Sequence, residues 1–352
     1  MNRRQLLGGA ACGTISANVA AVSETSRKPC KMTRARAPTA MRRHCWHISP
    51  KRAIVDGGTR NALFVFGACE RAIAEIDFLD LPLTGITILS DSLAGPGYEE
   101  HASELYGMRA GRLNNLSSPL ESVKRSMREN DRVVLLGNFS APFASQILVS
   151  LATMARDMGR PVIAIGGTPA PGVQGEIRTQ RGWTCIEELR RIGCCVTTVP
   201  EVDFYSAQLD KAAPITASTQ PSVDEGSPYC RALELALNQV DFGVASIGED
   251  VLTSKFSAGN FVSLGWGYSA SGDDAATAAN MALANGYGLS ECSNRDITTQ
   301  VLVTSNDDEI LAQLRTSTEA VSDAIGTSAP IYFGASHSAR VTNNALQVTV
   351  FR

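Results

Sequence analysis

The sequence predicts an α/β protein in which a mostly parallel sheet wrapped by helices is followed by a second, α+β part. Three observations carry this expectation. From Arg52 onward, short apolar runs alternate with helical segments, the pattern of a parallel sheet with crossover helices. Two runs, VVLL at Val133–Leu136 and VIAI at Val162–Ile165, are continuously apolar, as strands covered on both faces must be. Beyond residue 228 a single apolar-striped helix introduces a further set of strands and helices.

In chain order, RAIVDGG from Arg52 reads as the opening strand and NALFVFGACERAIAEI as a helix. GITILSDS is the next strand and LESVKRSMREN the next helix. RVVLLGN is a strand, a helix follows to Met158, and RPVIAIGGTP is a strand again. RGWTCIEELRRIG reads as a helix and CCVTTVP as a strand, after which KAAPITASTQPSVDEGSP is a long loop rich in Pro, Ser and Thr. In YCRALELALNQVDFGVASIG, the residues Leu233, Ala236, Leu237 and Val240 fall on one helical stripe, which predicts a helix bridging two domains. The remainder supplies a strand, an alanine-rich helix, the strand ITTQVLVTS, the helix DEILAQLRTSTEAVSDAIG, and the strands APIYFGASHS and ALQVTVF. The expected division is a leader at 1–51, an α/β domain at 52–228, a connecting helix at 229–250 and an α+β domain at 251–352.

Charge is unevenly spread. Residues 1–52 hold eleven Lys and Arg against one acid, Glu24, while the net charge of the whole chain is -3. The body is therefore acidic, which argues against nucleic acid as a partner. The leader opens with paired Arg3 and Arg4 before a weakly apolar stretch, loosely like a twin-arginine export signal. Its remainder is basic and aperiodic, which predicts disorder and dispensability for folding; Met32 and Met41 also offer later starts ahead of the first strand. No run is long and apolar enough for a transmembrane helix. The nine cysteines show no paired metal spacing, and the adjacent Cys194 and Cys195 sit in an apolar run, so they read as buried thiols. His44, Cys45 and His47 lack a fourth ligand at regular spacing, so no metal is expected there. Asp273 and Asp274 read as charges at a helix N-terminus, and Trp183 and Trp266 as half-buried packing residues.

The order of these pieces resembles the bacterial division protein FtsZ and hence the FtsZ/tubulin superfamily. GWGYSASGDDAATAANMALAN is similar to that family's small-residue loop and alanine-rich helix, and QVLVTSNDDEILAQL, APIYFGASHS and LQVTVF follow as its later elements. IVDGGTRNA resembles its opening strand and glycine-rich loop through Gly57, Gly58, Asn61 and Ala62. ILSDS, with Asp91, resembles the end of its second strand, and in GGTPAPGVQGEIRTQ the residues Gly175 and Arg178 match the segment flanking the guanine nucleotide. The resemblance implies a Rossmann-like GTPase-type domain, a central helix and a second α+β domain. It also implies GTP or GDP as ligand, self-association or association with other FtsZ-like subunits, and a cytoplasmic location, with export as the alternative the leader offers.

Two departures bear on activity. The family's GGGTGTG phosphate loop falls after Gly137 and Asn138, where this chain reads SAPFASQ, Ser140 to Gln146. Pro142 removes an N–H donor, and Phe139 and Phe143 put bulk where an anion would sit. The loop whose acids orient the attacking water aligns near LTSKFSAGN, where Thr253, Lys255 and Ala258 replace an Asn and two Asp. No catalytic residue is therefore expected. The resemblance and its departures leave three functions open: an assembly or regulatory partner with weak or lost GTP hydrolysis, an active GTP-hydrolysing polymer, and an exported structural protein. The chain reaches Phe351 and Arg352 directly after the last strand, so docking through a C-terminal adaptor-binding tail is not expected.

Overall fold

The computed structural model describes residues 45–49, 59–66, 81–89, 112–115, 119–167, 175–200, 228–238, 240, 244–269, 274–287, 289, 298–326, 330–337 and 345–352. They belong to one compact unit, Ala37–Arg352, and hold a single sheet of 11 strands with seven helices. The strands are β1 (Cys45–Ser49), β2 (Asn61–Phe66), β3 (Leu83–Leu89), β4 (Arg112–Asn115), β5 (Arg132–Asn138), β6 (Val162–Gly167), β7 (Cys195–Val199), β8 (Phe261–Ser269), β9 (Thr299–Ser305), β10 (Ile331–His337) and β11 (Leu346–Phe351). The helices are α1 (Pro119–Glu129), α2 (Pro142–Asp157), α3 (Glu176–Ile192), α4 (Pro228–Ala236), α5 (Glu249–Lys255), α6 (Ala275–Asn285) and α7 (Ile310–Ile325). Across the sheet the order is β10-β9-β11-β8-β7-β6-β5-β2-β3-β1-β4.

The parallel centre, β3-β2-β5-β6-β7-β8, forms because its strands alternate between two cores rather than between core and water. Leu63, Val65, Val134, Leu136, Ile163 and Ile165 face one cluster, which Leu233 and Ala236 of α4 and Leu237 just after it complete. Phe64, Phe66, Val133 and Leu135 face the other, closed by Ile147, Leu148 and Leu151 of α2 and Ile186 and Leu189 of α3. The spacing on α2 is that of an amphipathic helix lying on a sheet. Beyond β8 the sheet turns mixed: β11 runs antiparallel to both β8 and β9, and β10 runs parallel to β9. A third cluster lies under α6 and α7, with Ala278, Ala282, Leu314 and Val321 against Val301, Val303 and Val348. Asp274 caps α6 by accepting from the backbone N–H of Thr277 at 3.3 Å, the helix-end role expected of it.

Three readings of the sequence are corrected. The leader expected to be disordered through residue 51 contains β1, which pairs antiparallel with β3 and β4, so removing it would strip a strand from the sheet. NALFVF is strand β2 rather than the start of a helix, because its six consecutive residues are all buried between β3 and β5 and leave no polar face for a helix to turn outward. The connecting helix is α4 alone. It ends where Leu237 and Asn238 donate to the carbonyls of Leu233 and Leu235, with Asn238 at φ 55, a left-handed conformation that Asn tolerates better than most residues.

Among the described residues, Cys185, Cys194, Cys195 and Cys230 are buried and unbridged. Burial pushes the Cys185 and Cys195 thiols up to about 12 and Cys194 to about 11, from an ordinary value of 9.0. These thiols are therefore expected to resist a thiol reagent at pH 8 in the native chain and to react on unfolding. The unfolded thiols lose their protons first, so their contribution to stability is intact below pH 9.0 and falls between that value and about 12. An alkaline series of denaturant melts checks this.

Candidate functional site

In a parallel sheet, ligands gather beyond the carboxyl ends of the strands, where loops enter helix N-termini. Here β5 and β6 end side by side, with Gly137 opposite Gly166 and Asn138 opposite Gly167. The chain then turns into α2 through Phe139, Ser140 and Ala141. The Asn138 side-chain oxygen accepts the N–H of Ser140 at 2.8 Å, and the Asn138 carbonyl accepts that of Ala141 at 3.2 Å. Pro142, the first residue of α2, has no N–H. The turn thus consumes or lacks the three successive donors a phosphate cradle would offer. Phe143 and Ala144 remain as helix-end donors, since the N–H of Ser145 already bonds the Ala141 carbonyl.

The turn is also closed from beneath. Phe139 is fully buried in the cluster under α2 and α3. Its ring lies against Gly166, where an added Cβ would meet ring atoms at 2.6 Å and 2.7 Å and overlap the Gly137 carbonyl oxygen. This corrects the expected role of Phe139: its bulk fills the core under the turn and does not stand in the path of a ligand. Nothing is described of the Phe143 side chain. Of the seven residues aligned with a phosphate loop, only Ser140 and Ala141 precede the helix, so there is no loop long enough to wrap an anion. Ser140 is fully buried, with its hydroxyl unpartnered among the described residues.

Helix α3 begins beside this turn. Gly175 precedes it with φ 74, a backbone conformation suited to glycine, and Arg178 is exposed on its first turn. Arg181 donates to the Ser140 carbonyl at 3.2 Å and so ties α3 to the β5–α2 turn. The sequence reading missed Arg181, although its position three residues after Arg178 places both on one helical face. Gly137 and Asn138 thus end β5 ahead of this turn, and Gly175 and Arg178 lie at the start of the helix that Arg181 ties to it.

The other expected residues do not join them. Asn61 and Ala62 start β2 and pair with Arg132 and Val133 at the start of β5, the opposite end from Gly137. Asn61 is buried and donates to the carbonyls of Thr59 and Pro82, both at 3.0 Å, so its role is to fasten the strand start. Gly57, Gly58 and Asp91 lie outside the described residues.

The segment aligned with the water-orienting loop is likewise corrected. Thr253 and Lys255 belong to helix α5, and Ala258 lies in the turn before β8. Lys255 is half-buried and donates to the Thr298 carbonyl at 3.0 Å, while burial and then the charge of Arg352 push its ammonium below the ordinary lysine range. Asn260 holds the same turn through the Ser254 carbonyl at 2.7 Å and the Lys255 carbonyl at 3.1 Å. These residues build a helix end. The nearest described carboxylates in sequence, Glu249 and Asp250, are exposed on the first turn of α5. Among the described residues there is no cluster suited to a metal ion and no helix long and apolar enough to cross a membrane.

No protein-family model matches the chain, and no curated protein sequence does. Solved structures do match. The chain is similar to an FtsZ dimer, empty, from M. jannaschii, with 14% identity, a TM-score of 0.53, and coverage of 82% of this chain and 87% of that one. It is also similar to a point mutant of FtsZ from M. jannaschii, with 16% identity, a TM-score of 0.51, and coverage of 84% of this chain and 90% of that one. At these identities the likeness establishes the fold: this chain has the FtsZ/tubulin α/β architecture.

Proposed function

We propose that the chain is a divergent FtsZ-like protein with weak or lost GTP hydrolysis, acting in the assembly or regulation of a filament, membrane-remodelling or cell-division system. The observation that carries this reading is the β5–α2 turn, whose donors at Ser140 and Ala141 are spent on Asn138 and whose next residue is Pro142. A charge-assisted hydrogen bond to phosphate is worth about 1.5–3 kcal/mol, and each 1.4 kcal/mol is roughly tenfold in affinity. Three missing donors therefore weaken triphosphate binding by about a thousandfold or more. The residues present do not fit a triphosphate held by a backbone cradle. Gly175, Arg178 and the N-terminus of α2 leave room for a weak GTP or GDP contact and no more.

The fold supports a protein that associates with itself or with other FtsZ-like subunits, in the cytoplasm. The division into domains at 52–228 and 251–352, joined through the 229–250 segment, is part of the same proposal. Phosphate release from GTP, followed over rising concentrations of the full chain, tests it. The expected rate stays at the level of a protein-free blank. Turnover per molecule that climbs with concentration would mark an active site shared between subunits and would replace this reading with that of an active polymer.

A further inference from the structure

The outer edge of β10 is the one place among the described residues where the sheet ends on a long strand with exposed aromatic side chains. β10 terminates the strand order, and among the described residues it pairs with β9 along its length and with Ala245 at one bridge. Its sequence, IYFGASH, contains no Lys, Arg, Asp or Glu, the residues that commonly guard sheet edges against pairing. Tyr332 is 43% and Phe333 51% exposed, and adjacent strand residues stand on opposite faces.

The backbone shows which groups face outward. Ala335 exchanges both hydrogen bonds with Ala245, at 2.8 Å and 3.2 Å, in an isolated antiparallel bridge on the side away from β9. By the two-residue period, Ile331 and Phe333 point their N–H and C=O groups the same way, while the Pro330 carbonyl turns inward and accepts from Thr299 at 3.0 Å. After Ala245 the chain leaves this edge and enters α5 through Gly248. Among the described residues, the edge thus accepts an antiparallel neighbour at Ala335 and then presents two open rungs.

We propose that these rungs pair with the same strand of a second copy of this chain, in an antiparallel register centred on Tyr332. A two-fold axis through Tyr332 sets Ile331 of each copy opposite Phe333 of the other. Both residues carry outward-facing backbone groups, so the two pairs exchange roughly four hydrogen bonds. Tyr332 meets its own counterpart in the intervening position, on one face, and the two Phe333 side chains cover the other. The register is self-complementary, as an isologous contact must be, and uncharged, so no like charges oppose. The contact extends only as far as the Ala245 bridge allows. It buries well under the roughly 1,200 Å² of a standard interface, which makes the dimer weak and concentration-dependent. This inference does not rest on the reading of the β5–α2 turn.

Cysteine placed on the axis tests the register directly. In the non-hydrogen-bonded position the two Cα atoms lie about 4.5 Å apart, within the range a disulfide spans. Full-length Tyr332→Cys, at about 100 μM under mild oxidation, is expected to give a covalent dimer whose 332–332 linkage is identified by peptide mass spectrometry. Phe333→Cys, whose copies lie two residues out of register and beyond the about 7 Å limit, is expected to yield at least tenfold less of its own homodimer. Phe333→Lys is expected to weaken the reversible dimer seen by sedimentation equilibrium at least tenfold, with an unchanged circular dichroism spectrum. A chain that stays monomeric at several hundred micromolar, or that cross-links through position 333 as readily as through 332, overturns the proposal.

Discussion

Replacing Gly267 by valine is expected to abolish cooperative folding of the C-terminal part of the sheet. Helix α6 lies against β8 more closely than side chains ordinarily allow, because β8 presents Gly265 and Gly267 where α6 presents Ala278 and Ala282. A Cβ on Gly267 would overlap the carbonyl oxygen of Ala278, and one on Gly265 that of Ala282. Neither obstacle is the movable end of a side chain, so the helix would have to lift as a body. Asn285 opposes that movement: its side chain accepts the N–H of Trp266 at 3.0 Å and donates to the Trp266 carbonyl. Overpacking in a tight core costs typically 1–3 kcal/mol, and a branched side chain driven into backbone belongs above that range, at about 4 kcal/mol or more. Urea melts followed by circular dichroism check this, and a loss below about 1 kcal/mol would show that α6 does not sit where described.

Truncating Phe139 to alanine is expected to cost about 3–5 kcal/mol, the range for removing a fully buried aromatic ring. The size of the effect separates two descriptions of the same residue. A phenylalanine on a ligand-facing loop would lose little on truncation, whereas one that fills the space under Gly166 and between α2 and α3 leaves a cavity. A change under about 1 kcal/mol would move Phe139 out of the core and reopen the turn as an anion site.

Much of the fold was legible because the strongest signals are local and long. VVLL and VIAI, buried on both faces, had to be central strands, and the order of β8, α6, β9, α7, β10 and β11 followed the expected run of pieces. What was misread depended on neighbours. NALFVF is apolar enough for either a buried helix or a strand, and only its place between β3 and β5 decides. β1 owes its existence to pairing with β3 and β4, which a basic and aperiodic sequence does not announce. Of the expected site residues, Gly137 and Asn138 end β5, and Gly175 and Arg178 stand at the start of α3, which Arg181 ties to the β5–α2 turn. Asn61 and Ala62 stand at the start of β2 instead, because the strand begins there rather than ends. At Phe139 the sequence exposed bulk but not direction: the ring turns inward, and it is the turn itself that is closed, by the hydrogen bonds to Asn138 and the missing N–H of Pro142.

That closure is the centre of the functional reading, and calorimetric titration of the full chain with GTP and with GDP in the presence of magnesium measures it most directly. The turn, with its donors spent, predicts no saturable heat in the micromolar range and dissociation constants of about 1 mM or weaker for both nucleotides, about -4 kcal/mol or less favourable. Saturable one-to-one binding of GTP at low micromolar concentration would contradict it. A cradle would then have to form at Ser140 and Ala141 despite Asn138, and the chain would rank as a nucleotide-binding member of its fold.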